Sequence, residues 1–438
     1  MSIRTDICII GAGPGGAMTA LRLAQLGIPS LLVDKAVFPR DKICGDALSG
    51  KVVEVFRKLD PGLVDRLAAH PEQVGSWGVN FVAPNTRALR VPFKKEFSKE
   101  EQAPGFISKR VDFDNFLIEE CRRHSLISIV EGVALNKFER KDKEWLIHGK
   151  VGKDTRGFEN ASAQSGTSGA SKAAPKDLTI QARLIIAADG AHSRFAKEYG
   201  GIKMEPKHYC AGIRAYYKGI TGMDEDNFIE LHFLKDLLPG YFWIFPLPGG
   251  YANVGVGMRS DVVSKEKVNL KQRMAEVIEQ YPQLQERFAN AEMVDSMKGF
   301  GLPLGSKKRP ISGDGFMLIG DAASLIDPFT GEGIGNALYS GYFAAAHAQQ
   351  ALETGDLSAD AFKAYDKQVY DRLWDELKLS RRMQQLVKYP WLFNFVVNKA
   401  RKNKVLSETI SCMFEDIDLR DRLRKPSFYF KLLFANGS

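Results

Sequence analysis

Gly11, Gly13 and Gly16 fall in G-x-G-x-x-G order, and Asp34 stands at the end of the next apolar run. That spacing is suited to holding phosphate. The first glycine allows a tight turn, the second lets backbone approach a pyrophosphate with no Cβ in the way, and the third lets a helix lie close on its strand. Pro14 fits a first helical turn, so the helix start directs free N–H groups and a positive dipole end at an anion. Asp34 is placed to accept hydrogen bonds from a ribose hydroxyl. Far down the chain, Asp189-Gly190 and Gly320-Asp321 each end an apolar run, and the turn Asp327-Pro-Phe-Thr-Gly-Glu-Gly-Ile-Gly335 leads into a helix. Two more groups could meet a substrate. Tyr241, Trp243 and Phe245 alternate before Pro246, and Cys44-Gly45 follows Arg40.

Positioning these residues requires particular elements. Ile7, Cys8, Ile9 and Ile10, then Leu31 to Val33, read as strands buried on both faces with a helix between them. Ala182 to Asp189 and Gly315 to Gly320 are further buried strands, the latter followed by a helix over Asn336 to Leu352. Helices are also predicted at Lys51 to Leu59, ended by Asp60-Pro61-Gly62, and at Arg110 to Cys121, with Phe113, Phe116 and Leu117 on one face. Trp77 to Val82 and Leu89 to Phe93 alternate as antiparallel strands do, outside the first sheet. Tyr209 to Met258 is β-rich and aromatic, Lys265 to Phe288 helical with a break at Pro282, and Ser358 onward largely helical and basic. Ser162 to Ala174 reads as a surface loop. The expected organisation is an α/β domain formed by 1–75, 106–200 and 300–356, a β-sheet substrate domain formed by 76–105 and 201–299, and a helical region, 357–438.

Composition narrows the partners. The chain has 438 residues, 44% of them hydrophobic, and a formal net charge of +8, which favours an anionic partner. No basic stripe interleaved with aromatics marks a nucleic-acid module, so none is expected. The five cysteines are scattered without a C-x-x-C pair, which favours reduced thiols in a cytoplasm over disulfides, and no metal site is expected. Met1 to Asp6 reads as no targeting signal, and no run is apolar for a membrane span. Gly45, Gly50 and Lys51 have phosphate-loop spacing, but Val52 replaces the hydroxyl that would hold magnesium and no buried strand precedes them.

Three separated motifs, GAGPGG at Gly11 to Gly16, Asp189-Gly190, and Gly320-Asp321 with its glycine-rich sequel, occur in order. In this the chain resembles the FAD-dependent oxidoreductases of the class that includes aromatic hydroxylases, flavin halogenases and geranylgeranyl reductases. The resemblance implies a Rossmann-like FAD-binding domain of the glutathione-reductase-like, aromatic-hydroxylase type, interleaved with a β-rich α+β substrate domain. It implies that Asp34 holds the adenosine ribose and Asp321 the ribityl side, and that Arg110 lies along the cofactor. Gly15, Lys35, Arg40, Cys44 and Gly45 belong to the same implied site. Gly333, Ile334 and Gly335, with Gly331 before them, match the turn whose N–H groups meet the flavin's pyrimidine edge. Asp189-Gly190 orders the turn beside the cofactor.

Pro239 to Pro246 is similar to the Y-x-W-x-F-P signature of geranylgeranyl reductases, although Pro239 stands one residue closer to the tyrosine than usual. The resemblance implies that Tyr241, Trp243, Phe245 and Pro246 line a lipid pocket and that Tyr241, Trp243 and Cys44 stand near the reacting carbons. Alternation by itself is equally that of ordinary sheet core. The implied function is saturation of isoprenoid C=C bonds by hydride from reduced FAD, with proton delivery by Tyr241, Cys44 or water left open. Alternatives are a flavin monooxygenase acting on an aromatic or polycyclic substrate and a prenyl-lipid carrier without redox chemistry. No second G-x-G-x-x-G opens a nicotinamide domain, so NAD(P)H binds transiently or a protein delivers the electrons. Leu386 to Phe395, with Tyr389, Trp391 and Phe393, precedes Lys399, Arg401, Lys402 and Lys404, which suits a helix on an anionic membrane surface or one packed over the substrate domain.

Overall fold

The computed structural model of the chain describes residues 1–94, 96–98, 100–158 and 177–402; the predicted loop Ser162 to Ala174 and Lys404 lie outside them. The chain opens with β1 (Ser2–Ile10), α1 (Pro14–Gln25) and β2 (Ser30–Asp34). Ile7 to Ile10 and the whole of β2 are buried, as continuous apolar runs in a sheet covered on both faces must be. Next comes α2 (Gly50–Leu59). The predicted stop at Asp60-Pro61-Gly62 ends α2 and also starts another helix, Pro61–Ala68, because Asp60 accepts the Gly62 N–H at 2.9 Å and Pro61 takes the first helical position.

An antiparallel pair, β3 (Gly78–Val82) and β4 (Ala88–Pro92), precedes α3 (Arg110–Arg122). The chain then forms β5 (Ile127–Lys141), β6 (Glu144–Arg156) and β7 (Asp177–Ala187). Four long or central strands follow, β8 (Tyr209–Lys218), β9 (Ile229–His232), β10 (Tyr241–Leu247) and β11 (Tyr251–Arg259). The predicted helical stretch Lys265 to Phe288 is three helices, Ser260–Glu266, Leu270–Gln280 and Pro282–Phe288; besides Pro282 it breaks at Lys267, whose φ is +52°. The last framing elements are β12 (Lys298–Pro303), β13 (Phe316–Leu318), α4 (Ile334–Thr354), α5 (Ala359–Leu386) and α6 (Pro390–Ala400).

Two sheets result. In the first, β5, β2, β1, β7 and β13 run parallel side by side, and β6 pairs antiparallel with both β5 and β7. Its register sets Ile10 opposite Val33 and Ala187, and Ala187 opposite Leu318. The carboxyl ends of four strands therefore meet at one edge, the place where open parallel sheets bind ligands. The second sheet runs β12, β8, β11, β10, β9, β3, β4, with β9 and β3 parallel and the other neighbours antiparallel. Its edge strand β12 carries the sheet past residue 299. Phe242, Ile244, Val254 and Val256 pack on the helices through Met274, Val277, Leu284 and Phe288. The alternate residues Trp243 and Phe245 fall on the opposite face with Val79, Phe81 and Leu231.

Candidate active site

A cavity of about 1250 Å³ runs from the carboxyl edge of the first sheet to the inner face of the second. At its first end Gly11 has φ +97°, and a Cβ there would lie 2.4 Å from the Ala188 carbonyl oxygen. A Cβ on Gly16 would lie 1.9 Å from the Gly11 carbonyl oxygen, so this glycine lets α1 close onto the turn and does not itself line the cavity. Gly13 is different. Its added Cβ would meet only the tips of Arg40 at 3.7 Å and Arg110 at 3.9 Å. Pro14 and Gly15 line the same end, and no side chain caps the start of α1.

The two arginines are held by one acid. Arg110 binds both oxygens of Asp114, each at 2.6 Å, and Arg40 binds the same carboxylate. Asp114 follows Arg110 by one helical turn, which makes the pair face each other on α3. Burial alone would raise the Asp114 carboxyl, but the two guanidinium charges hold it below the usual carboxylate range. Burial likewise opposes the Arg110 charge, and Asp114 more than restores it. Two cations against one anion leave a surplus positive charge beside a bare helix N-terminus and a side-chain-free Gly13. That set of donors fits a pyrophosphate.

Asp34 accepts the Ala12 N–H at 2.7 Å and the Ala36 N–H at 2.8 Å, which fixes its carboxylate at the cavity wall beside Lys35. Asp189 and Gly190 also line the wall. Burial raises the Asp189 carboxyl, against the Ser193 hydroxyl, and its Oδ1 has no partner in the protein. Asp321 lies 3.3 Å from Lys42 Nζ, and Gly320, with φ +57°, makes the turn that aims it. Gly331, Gly333 and Ile334 line the cavity, but Gly335 does not: its N–H donates to Glu332 Oε1 at 2.6 Å. The expectation that the Gly335 N–H is free for a ligand is corrected by that carboxylate, which caps α4.

At the other end stand Tyr241, Trp243 and Phe245, successive inward residues of β10, with ring centroids 6.1 and 6.2 Å apart. Pro246 is not in the lining; the pleat puts it on the face of Phe242 and Ile244, so its expected contact with substrate is corrected. Gly255 and Gly257 lie opposite Trp243 and Tyr241, and a Cβ on Gly255 would be 2.2 Å from the indole. The indole thus lies flat on its neighbouring strand because that strand offers no side chain. Tyr241 donates its hydroxyl to the Thr330 carbonyl at 2.6 Å, and burial pushes the phenol well above its usual range. It ties the aromatic wall to the glycine-rich turn.

Cys44 and Gly45 bridge the two ends. A Cβ on Gly45 would lie 3.0 Å from the Phe245 ring. Three site residues, Asn253, Asp46 and Asp114, drew no role from the sequence. Asn253 donates to the Cys44 carbonyl at 2.7 Å and to Asp46 at 2.8 Å while accepting the Trp243 N–H at 2.9 Å. Asp46 is fully buried, and burial pushes its carboxyl up to about 6 against hydrogen bonds from Asn253 and Tyr216 and the charges of Arg214 and Arg110. Asp114 carries a local signal that could have found it, its i+4 spacing from Arg110, whereas nothing local distinguishes Asp46 from a surface aspartate. Among the described residues no cluster of His, Cys, Asp or Glu could hold a metal ion, and no helix is long and apolar enough to cross a membrane.

The sequence pattern of a family described as FAD binding domain matches residues 4–378. A digeranylgeranylglycerophospholipid reductase of Thermoplasma volcanium is 28% identical over 375 residues, covering 84% of this chain and 83% of that one. A conditioned medium factor receptor 1 of Dictyostelium discoideum is 27% identical over 430 residues, covering 93% and 76%. The crystal structure of a geranylgeranyl bacteriochlorophyll reductase-like protein from Thermoplasma acidophilum superposes with a TM-score of 0.77 over 99% of both chains at 21% identity, a likeness of fold.

Proposed function

The chain belongs to the FAD binding domain family, and on that premise we propose that it is a flavin-dependent reductase that saturates C=C bonds of isoprenoid lipid chains. The observation that carries the proposal is the single cavity joining a phosphate cradle to an apolar aromatic wall. The relatives named digeranylgeranylglycerophospholipid reductases support the same reading of the substrate.

In this reading the start of α1, Gly11, Gly13, Pro14 and Gly15, with Arg40 and Arg110, holds the pyrophosphate of FAD. Asp34 holds the adenosine ribose beside Lys35, Asp321 the ribityl chain, and Asp189-Gly190 the turn next to them. Gly331, Gly333 and Ile334 face the flavin at the α4 end, with Cys44 and Gly45 across from them. The chemistry that bound FAD supplies is hydride transfer once it has been reduced, by NAD(P)H or by an electron-carrying protein that reaches the cavity transiently. Trp243 and Phe245 orient the prenyl chain and exclude water, and their ring faces attract positive charge developing on an alkene carbon. Tyr241 keeps the wall and the Gly331 turn in register. The exposed Tyr389, Trp391 and Phe395 beside Lys399 and Arg401 support peripheral contact of α6 with an anionic lipid surface.

The test is to reduce the FAD-loaded protein without oxygen, add a geranylgeranyl lipid and weigh the product. A mass gain of one hydrogen pair per double bond is expected. No gain across several prenyl lipids would overturn the proposal. Gain of oxygen, only in air, would assign a monooxygenase, and a colourless protein that takes up no FAD would assign a carrier.

A further inference from the structure

Saturating an isolated alkene needs a proton as well as a hydride, and the cavity wall contains a carboxyl arranged to hold one. Asp46 follows Cys44-Gly45 in the left-handed region, at φ +70°, a strained conformation for a residue with a side chain. Its Oδ2 accepts two hydrogen bonds, from the Tyr216 hydroxyl at 2.8 Å and from Asn253 Nδ2 at 2.8 Å. Its Oδ1 is buried with no partner in the protein. A proton on this carboxyl therefore sits on Oδ1, since both donors already occupy Oδ2. The residue lines the cavity, one position from Gly45, where an added Cβ would meet the Phe245 ring at 3.0 Å and the Trp243 indole nitrogen at 3.9 Å.

Building on the reductase reading, we propose that Asp46 is the acid that protonates the alkene. The Oδ1–H bond breaks as a C–H bond forms at one alkene carbon, the other carbon takes hydride from reduced FAD, and the oxidised flavin and the Asp46 carboxylate remain. Because the carboxyl is sealed off in the cavity wall, this step includes a small shift of the wall that opens Oδ1 to the alkene and, after product leaves, to the solvent that returns the proton. The carboxylate is received by donors already in place: Tyr216 and Asn253 on Oδ2, with the Arg214 and Arg110 charges beside them. Tyr216 stays a donor, because burial and Asp46 raise its phenol further.

The other charged groups around Asp46 each have a partner of their own. Arg214, from β8, is paired with Asp41 and Asp295 at 2.9 and 2.7 Å. Arg110, from α3, is paired with Asp114, and Lys109 lies over the Tyr216 ring. Rival donors are less well placed. The Tyr241 proton is directed to the Thr330 carbonyl; Asp34, which accepts the Ala12 and Ala36 N–H groups, and Asp189 stand at the Gly11 end of the cavity; and Asp327 accepts the Phe329 and Thr330 N–H groups.

The experiment uses the FAD-loaded protein and two readouts. Infrared titration is expected to show a protonated-carboxyl band that disappears as pH rises through about 6 and is absent from Asp46→Asn. In single turnover with a geranylgeranyl lipid, the wild-type rate falls over the same range. Asp46→Asn is expected to be at least about 100-fold slower and flat with pH, with its flavin spectrum and FAD affinity unchanged. Asp46→Glu restores part of the rate and the pH dependence. Asp46→Asn turning over within a few-fold of wild type with the same pH profile overturns the proposal, as does a wild-type protein without the titrating band. If Asp46→Asn loses FAD, the band and the Asp46→Glu profile decide. A titrating band in a wild-type protein that reduces no prenyl lipid overturns the reductase reading and the proton's destination, while leaving Asp46 as a proton-holding group.

Discussion

The indole N–H of Trp243 donates to Oδ1 of Asn253 at 2.9 Å, and the other end of the same amide holds the Cys44 carbonyl and the Asp46 carboxyl. One side chain thus fastens the aromatic wall of the second sheet to the loop that leaves the first. Asn253→Leu would leave the indole N–H, the Cys44 carbonyl and Asp46 each short of a partner in a buried place. The expected cost is about 2–3 kcal/mol, read by urea denaturation, with a changed tryptophan emission reporting the released indole. An unchanged midpoint would show that water replaces the amide.

Gly13 and Gly16 separate binding from folding. A side chain at Gly13 meets only two arginine tips at van der Waals distance, so Gly13→Val is expected to fold with a normal circular dichroism spectrum and to lose FAD. Gly16→Ala drives a Cβ into the Gly11 carbonyl oxygen and is expected to lower the melting temperature in the absence of FAD as well. A Gly13→Val protein that stays fully yellow would place the cofactor elsewhere.

Asp114 balances Arg40 and Arg110, and its removal leaves two guanidinium groups uncompensated, one of them buried. Asp114→Ala is expected to cost about 3–5 kcal/mol near neutral pH. The pH dependence has a definite sign. Because the folded carboxyl is held below its unfolded value, its contribution is present in full above the ordinary carboxylate pKa of about 4 and is lost as pH falls through the lower folded value. The stability gap between wild type and variant should therefore narrow only in acid, as denaturation curves at stepped pH would show.

Phe245 lines the cavity but makes no polar contact with the phosphate end. Phe245→Ala is expected to raise KM for a prenyl lipid about tenfold, on the order of 1.5 kcal/mol of lost apolar contact, with FAD content unchanged. A variant that loses flavin while keeping KM would remove Phe245 from the substrate wall.

Trp391, in the first turn of α6, is 69% exposed and Tyr389, just before the helix, 56%, with Lys388 preceding them and Lys399 near the helix end. Trp391→Ser with Tyr389→Ser is expected to reduce co-sedimentation with vesicles rich in phosphatidylglycerol and to leave FAD binding untouched. Equal sedimentation of variant and wild type would assign that face to something other than lipid.

The glycine-turn end of the cavity was largely legible because its signals are local. The glycine spacing, Pro14, the apolar strand runs and the terminal Asp34 are set by backbone requirements within one strand–turn–helix unit, and the structure keeps each in its expected element. The alternation of Tyr241, Trp243 and Phe245 is equally local, since the pleat alone decides that they share a face and that Pro246 does not. Gly335 went the other way for a reason no spacing reveals: a neighbouring glutamate, turned back by the fold, takes its N–H.

By itself, then, the sequence determined a parallel sheet with a nucleotide-type turn and a strand bearing an aromatic stripe, because periodicity and glycine conformation act over a few residues. Only the tertiary structure decided what those parts face. Strand order brings Asp34, Asp189 and Asp321 to one edge across nearly three hundred positions of sequence, because each parallel strand returns to the same edge after its crossover. Burial of Asp46 among Asn253, Tyr216 and Arg214 comes from the loop that leaves the first sheet meeting two paired strands of the second, and it is that meeting, through loss of water around a carboxyl, which raises an ordinary aspartate to about 6.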